Sequence, residues 1–251
     1  MGPEELLAAW HDQQKAFIEF RDLRTRTMID VLRNVRAEKG APIKVLDLAC
    51  GPGSLGTAVM QAIPDSSVVA VDRDPVLLRL GRETNKFDKM QFIDEDIASP
   101  NLPDSVGTDF DGVISATALH WLNPDQLAAL YLRLGRMMNP GAVFMNGDHL
   151  FYDAVTQPYL RKTAEDIRNS FQNEFLAEGA LTWDAWWKTA LEMPGWQEEA
   201  KLWHERWADD RPSIKVNVDF HLSALQAAGF VETAQIYQWF DDRIIFGRIS
   251  A

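Results

Sequence analysis

The chain has 251 residues, 46% of them hydrophobic, which is enough for a single α/β domain over residues 1–251 with room for an insertion. Its formal net charge of −12 argues against nucleic-acid binding, which needs a basic footprint. One cysteine excludes an internal disulfide, and no apolar stretch of about 20 residues is present to cross a membrane, so we expect a cytoplasmic protein.

Residues 1–38 are predicted to form one or two helices. Apolar side chains recur at helical spacing from Leu6 to Val35, with polar residues between them. The segment is either an outer helix packed on a sheet or a roof over a ligand site. As a roof, it would bring Arg21 or Arg24 to a carboxylate of the ligand.

The first predicted strand leads into a glycine-rich turn. Residues 43–48 are an apolar run, typical of a strand that is buried on both faces of a parallel sheet. Gly51 and Gly53 then allow a tight turn, and a helix is predicted directly after them. A helix that begins at such a turn offers free N–H groups and a positive dipole end, so this unit predicts a nucleotide site.

The glycine spacing also matches the dinucleotide fingerprint, which makes an NAD-dependent oxidoreductase one alternative. Pro52 has no N–H for a pyrophosphate, and Asp47 would repel phosphate while suiting a cationic, amino-bearing ligand. The pattern Asp47-x-Ala49-x-Gly51-x-Gly53 resembles motif I of the class I S-adenosylmethionine-dependent methyltransferases. This resemblance implies S-adenosylmethionine as the cofactor, bound by Asp47, Gly51 and Gly53.

The second predicted strand ends in an acidic residue, Asp72. An acid about 20 positions after a glycine turn can accept hydrogen bonds from ribose hydroxyls. Asp72 and Arg73 resemble the second motif of the same family, which implies that Asp72 binds the ribose with Arg73 beside it. A helix N-cap is the alternative role, for which Asp74 is better placed.

Three acids follow the third predicted strand. The resemblance implies that Asp96 holds the adenine amino group and that Ile97 lies beside the ring, with Asp94 as an alternative to Asp96. A metal site would need further ligands, and no nearby histidine or carboxylate completes a coordination shell. We therefore expect no metal.

The fourth predicted strand ends at a second group of candidate residues. Ligands of open α/β sheets bind at the carboxyl ends of the strands, which is where Ala116, His120 and Trp121 stand. The string Leu-His-Trp-Leu resembles small-molecule methyltransferases that act on carboxylates. This implies Ala116 and His120 as cofactor contacts and Trp121 as a substrate contact. For His120, a catalytic base and a structural hydrogen bond remain alternatives. His149, after the fifth strand, is a further substrate candidate.

Residues 151–210 read as a helical insertion. They hold six of the nine tryptophans of the chain. These rings either pack the insertion onto the sheet or line an acceptor pocket. In the resembled family, insertions at this point commonly cover the acceptor, so Trp186 and Trp187 are candidates for substrate binding.

The last predicted elements are two strands, over residues 230–239 and 243–249, joined by a hairpin turn. An antiparallel hairpin separates the methyltransferase sheet from the all-parallel NAD sheet. We expect an α/β fold: a Rossmann-like, seven-stranded mixed sheet with a C-terminal antiparallel hairpin and a helical insertion after the fifth strand.

The expected function is transfer of a methyl group from S-adenosylmethionine to a small-molecule acceptor. Alternatives are a non-methylating protein of the same fold that binds the cofactor, an enzyme that modifies protein or RNA, and the oxidoreductase. The methylated atom (O, N or C), the acceptor and the oligomeric state are not encoded in any motif of this sequence.

Overall fold

The computed structural model describes residues 1–208 and 213–251. Its strands are β1 (Lys44–Leu48), β2 (Ser67–Asp72), β3 (Met90–Asp94), β4 (Phe110–Ala116), β5 (Met138–His149), β6 (Phe230–Trp239) and β7 (Asp242–Ile249). They form one sheet in the order β3-β2-β1-β4-β5-β7-β6. The first five strands are parallel, and β7 runs antiparallel between β5 and β6. The expected mixed sheet with a closing hairpin is confirmed.

The helices flank the sheet and cover its carboxyl edge. They are α1 (Pro3–Phe17), α2 (Arg21–Lys39), α3 (Ser54–Ala62), α4 (Pro75–Thr84), α5 (Leu102–Val106), α6 (Pro124–Met137), α7 (Pro158–Ala177), α8 (Trp183–Leu191), α9 (Gln197–Trp207) and α10 (Val218–Ala227). The N-terminal segment is thus two helices. Helices α7 to α9 form the insertion after the fifth strand; its predicted end at Asp210 lies outside the described residues.

The central strands are buried on both faces because their apolar residues are continuous. Leu46 and Leu48 pack into one core cluster with α6, while Val45 packs into a second cluster with α2 and α3. Both clusters leave the carboxyl edge of the sheet free for a site. Within the described residues, no helix is both long and apolar enough to cross a membrane.

A third apolar cluster fixes the cover above this edge. It joins α1, α4 and the inserted helices through Leu6, Leu80, Trp186 and Trp196. The Trp186 side chain is fully buried, and its indole N–H donates to the Leu6 carbonyl at 3.2 Å. The N-terminal helix and the insertion therefore form one packed layer over the carboxyl ends of the strands.

Candidate functional site

A cavity of about 740 Å³ lies between the carboxyl ends of the parallel strands and the cover made by α1, α7, α8 and α9. Most of the site residues predicted from sequence line it: Asp47, Gly51, Asp72, Arg73, Asp96, Ile97, Ala116, His120, Trp121, His149 and Trp187. Gly53 and Trp186 do not line it. The cavity thus brings together residues that are up to 140 positions apart in the chain.

The glycine turn after β1 has two different roles. Gly51 and Gly53 both have left-handed backbones, with φ of 55° and 79°. Gly51 lines the cavity. A Cβ on Gly53 would lie 2.6 Å from the Met90 side chain and 2.7 Å from Phe92. Gly53 was predicted to contact the cofactor, but the structure gives it a packing role, since only a glycine lets this turn approach β3.

Asp72 is held in place by the turn that it faces. Its carboxylate accepts hydrogen bonds from the main-chain N–H groups of Gly51 at 2.7 Å and Asp74 at 2.8 Å. A carboxylate offers about four acceptor positions, so two remain for a ligand. Burial raises the pKa of Asp72. This orientation suits a residue that accepts hydrogen bonds from a pair of ligand hydroxyls.

One half of the cavity wall is acidic. Asp47, Asp72, Asp74 and Asp96 all line it. Burial, together with the charge of Asp72, raises the pKa of both Asp47 and Asp74 to about 7. A cationic ligand would relieve this crowding of acids, and a phosphate would add to it. The part of the chain that is described contains no group of His, Cys, Asp or Glu side chains arranged to hold a metal.

The other half of the charged wall, contributed by α2, α7 and the end of β5, is basic. Arg24 donates to Asp242 at 2.6 Å and is almost fully buried, and Arg168 donates to Asp241 at 2.7 Å. Both arginines line the cavity, but neither aspartate does. The acids therefore hold the guanidinium groups from outside the cavity wall, and guanidinium groups, with no carboxylate of either pair, line this part of the cavity. His149, whose partner is Glu19, lies on the same wall.

Arg21 differs from the other cations of this wall. It lines the cavity, yet no ion pair or hydrogen bond joins its side chain to any described residue. Burial, and the nearby charge of Arg24, lower the pKa of Arg21. The charge of Asp22 offsets this only in part, since the pKa of Arg21 remains lowered, so an anionic ligand would stabilise this position.

His120 is oriented by a buried carboxylate. Its Nδ1 lies 2.7 Å from Asp148 Oδ1, and its main-chain N–H donates to the other oxygen of Asp148. Burial on its own would raise the pKa of Asp148. The charge and the hydrogen bond of His120 act in the opposite direction, as do the charges of His149 and Arg24, and together they lower this pKa to about 2. Asp148 is therefore ionised at neutral pH and fixes the imidazole ring at the cavity wall.

The tryptophans of the insertion divide between core and cavity. Trp183 and Trp187 are four residues apart, so they share the face of α8 that lines the cavity. Trp186, predicted to bind substrate, points instead to α1 and is fully buried in the third apolar cluster. It lies outside the cavity because adjacent helical residues face different directions. Trp203 and Trp207 of α9 also line the cavity.

Several cavity residues carried no signal in the sequence. Ser54 has a buried hydroxyl without a hydrogen-bond partner, and Thr117 has a left-handed backbone with φ of 55°. Arg168 and Gln172 lie four positions apart on α7, so helical spacing predicts that they share a face. The direction of that face depends on how α7 packs against α1, which no local pattern shows.

Comparison with known proteins finds a family match over part of the chain. Residues 45–141 match the methyltransferase domain family. A trans-aconitate 2-methyltransferase from Azoarcus sp. is 30% identical over 159 residues, which is 62% of this chain and 57% of that protein. The enzyme of the same name from Rhodopseudomonas palustris is 34% identical over 124 residues, 49% of this chain and 44% of that one. The chain spans about half the length of the curated relatives that it matches.

Solved structures share the fold at low sequence identity. Human N-acetylserotonin methyltransferase, solved with S-adenosylmethionine, has a TM-score of 0.59 at 15% identity, over 100% of this chain and 57% of that one. Magnesium protoporphyrin IX methyltransferase from Synechocystis, solved with S-adenosylhomocysteine, has a TM-score of 0.55 at 14% identity, over 97% and 94% of the two chains. Residues 45–141 therefore match the methyltransferase domain family, and the chain as a whole shares the fold of these two solved methyltransferases.

Proposed function

We propose that this chain methylates a carboxylate oxygen of a small organic acid, with S-adenosylmethionine as the methyl donor. The observation that supports this most directly is the division of the cavity wall into an acidic and a basic half. S-adenosylmethionine is the cofactor of this class, and when bound it supplies an electrophilic methyl group on a sulfonium centre. The acidic half suits that cation, and the basic half suits an anionic acceptor.

The residues of the acidic half fit the cofactor. Asp72 has acceptor positions left for the ribose hydroxyls, and Asp96 and Ile97 lie beyond it for the base. Asp47, behind the glycine turn, favours a positively charged ligand, while the unpartnered hydroxyl of Ser54 offers a polar contact in the same turn. A pyrophosphate would meet four acids here and one cation, Arg73, which already donates to Asp96, and this counts against the oxidoreductase.

The basic half gives the acceptor its orientation. Arg21 has a free guanidinium, and Arg168 presents one that is held by Asp241. An arginine can bind a carboxylate through two parallel hydrogen bonds, which fixes the acid as well as neutralising it. The tryptophans of α8 and α9 add apolar surface to the same cavity. Positioning of two reactants is the main requirement of such a transfer.

His120 needs no role as a base if the acceptor is a carboxylate. Carboxylic acids have pKa values of about 4 and are ionised at neutral pH, so no proton has to be removed from the nucleophile. Because Asp148 holds Nδ1, the second ring nitrogen is the one available to a ligand. We propose that His120 orders the acceptor side of the cavity. The relatives named trans-aconitate 2-methyltransferase are consistent with an acid as acceptor.

The test is a screen of mono-, di- and tricarboxylic acids, trans-aconitate among them, with methyl-labelled S-adenosylmethionine. Methylation of a carboxylate gives an ester, which mild alkali cleaves to labelled methanol, whereas N- and C-methyl products are stable to alkali. We expect an alkali-labile product. An alkali-stable product would contradict the proposal, as would binding of the cofactor with no methyl product from any acid or from metabolite extracts.

Replacement of Arg21 tests the basic half directly. Arg21→Gln should raise the KM for the acid by about tenfold or more, since hydrogen bonds to charged groups contribute about 1.5–3 kcal/mol, and should leave cofactor affinity unchanged. Arg33→Gln, on the exposed side of the same helix, is the matched control. Equal KM values for the two variants would exclude Arg21 from acceptor binding.

A further inference from the structure

The last turn of α9 is fixed to the carboxyl ends of β2 and β3. The Arg206 guanidinium donates to both carboxylate oxygens of Asp94, at 2.6 and 3.0 Å, and to the main-chain carbonyl of Arg73. Arg73 donates in return to the main-chain carbonyl of Arg206 at 2.9 Å, and its other amino group donates to Asp96 at 3.2 Å. The insertion is thus tied to the motif residues themselves, by a network of charge-assisted hydrogen bonds.

This network places one aromatic ring in the cavity. The Trp207 indole N–H donates to Asp74 at 3.2 Å, and the Arg73 guanidinium lies 4.9 Å from the centre of the ring. Trp121 also packs against it, edge to face, with 6.5 Å between ring centres. Trp207 lines the cavity, whereas Arg206 does not. The ring therefore stands over the acidic half, beside the residues proposed for the ribose and the base.

We infer that Trp207 binds the nucleoside end of the cofactor and that Arg206 is its positioning residue. This rests on the proposed function only in taking S-adenosylmethionine as the ligand. A purine offers a flat aromatic surface, and the Trp207 indole, held at its edge by Asp74 and with Arg73 over one face, has its other face to present to it. The insertion then belongs to the cofactor site as well as to the acceptor site, although its sequence suggested only the second.

Binding of S-adenosylhomocysteine, measured by calorimetry and stopped-flow fluorescence, tests this without acceptor or turnover. The variants are Trp207→Ala, Arg206→Gln and Arg206→Lys, with Trp207→Phe as a second ring variant in case alanine prevents folding. Glu199→Gln is the matched control, because Glu199 also ties α9 to the domain, through Arg79 at 2.7 Å, but lies outside the cavity wall. It reports what loosening of α9 alone does.

We expect Trp207→Ala to weaken binding about tenfold or more, which corresponds to about 1.4 kcal/mol. Arg206→Gln should weaken it mainly through faster dissociation, since the ring loses its support. Arg206→Lys, which keeps the charge, should recover part of the affinity. Glu199→Gln should change affinity by less than about threefold.

Two results would overturn the inference. One is wild-type affinity in folded Trp207 and Arg206 variants. The other is an equal loss in Glu199→Gln, which would show that α9 contributes only through general stability. A wild-type protein that binds the cofactor but methylates no acid would refute the proposed acceptor and leave this result intact. A wild-type protein that does not bind would refute both.

Discussion

Asp72 connects the glycine turn to the start of α4 through two hydrogen bonds from main-chain N–H groups. The same carboxylate is therefore both a structural link and the proposed ribose ligand. Removing the whole side chain would disturb the turn, and a change in affinity would then have two causes. An amide of the same shape disturbs the turn less, because it keeps one of the two main-chain hydrogen bonds while removing the charge, and only its NH2 group then faces an N–H donor.

Asp72→Asn should weaken cofactor binding by about 30-fold or more, because hydrogen bonds to a charged acceptor contribute about 1.5–3 kcal/mol each. Calorimetry with S-adenosylhomocysteine measures this. Asp30→Asn, on the exposed side of α2, serves as the control. If a folded Asp72→Asn protein binds S-adenosylhomocysteine within about threefold of the wild-type affinity, Asp72 is not a cofactor ligand.

Asp47 makes the stability of the ligand-free protein depend on pH. Burial raises its pKa to about 7, above the value of about 3.9 in an unfolded chain. Between these pH values the unfolded chain releases this proton while the folded protein keeps it, so the contribution to stability falls as pH rises from about 4 to about 7. An asparagine at this position would not ionise, and its amide oxygen could still accept from the Gly56 N–H, as the carboxylate of Asp47 does at 2.8 Å.

We expect Asp47→Asn to be more stable than wild type at pH 8, by on the order of 1–4 kcal/mol, and equally stable near pH 4. Denaturant unfolding at both pH values gives the comparison. Asp65→Asn should change stability in the opposite direction. The Arg36 hydrogen bond lowers the pKa of Asp65, so this variant should be less stable than wild type at pH 8. If Asp47→Asn differs from wild type by the same free energy of unfolding at both pH values, Asp47 does not have a raised pKa in the folded protein.

At the scale of elements, α8 shows how one helix serves both core and cavity. Trp183 is 42% exposed and faces the cavity, while Trp186, three residues further, is fully buried. The two faces differ because Trp186 points toward α1 and donates to the Leu6 carbonyl. Substitutions of the two rings should therefore have different consequences.

Trp186→Ala should destabilise the fold by about 3–5 kcal/mol, as expected for a buried tryptophan. Trp183→Ala should leave the melting temperature nearly unchanged and raise the KM for the acceptor. Thermal unfolding and acceptor kinetics measured side by side check both statements. If both variants lose stability and Trp183→Ala retains normal kinetics, the cavity face of α8 has no part in acceptor binding.

Elements that depend on short sequence patterns could be predicted from the sequence. The way in which these elements pack against one another could not. The strand, glycine turn and acidic residue around Gly51 and Asp72 depend on short patterns, and the structure has them as expected. The distinction between Trp186 and Trp187 depends on which face of α8 meets α1. The pairing of Arg24 with Asp242 joins residues 218 positions apart, and no periodicity predicts it.

At the scale of the molecule, ligand binding should be visible as a gain in stability. S-adenosylhomocysteine at about 100 times its Kd should stabilise the fold by about 2.7 kcal/mol, because it binds only the folded state. For a chain of this size that corresponds to about 5–10 °C in melting temperature. NAD at the same concentration should give no shift, since the acids of the cavity disfavour pyrophosphate. A comparable shift in melting temperature with NAD would support the alternative that the protein is an NAD-dependent oxidoreductase.

The two halves of the cavity come from different parts of the chain. The acidic half belongs to the motif strands between Asp47 and Asp96, while the basic half comes chiefly from the α1–α2 junction and α7. Side chains such as Gln14, Arg21 and Gln172 can therefore vary without disturbing the Asp72 network. Directed evolution confined to those positions should yield enzymes that methylate new acids and still use S-adenosylmethionine. This follows because different parts of the chain bind the acceptor and the cofactor.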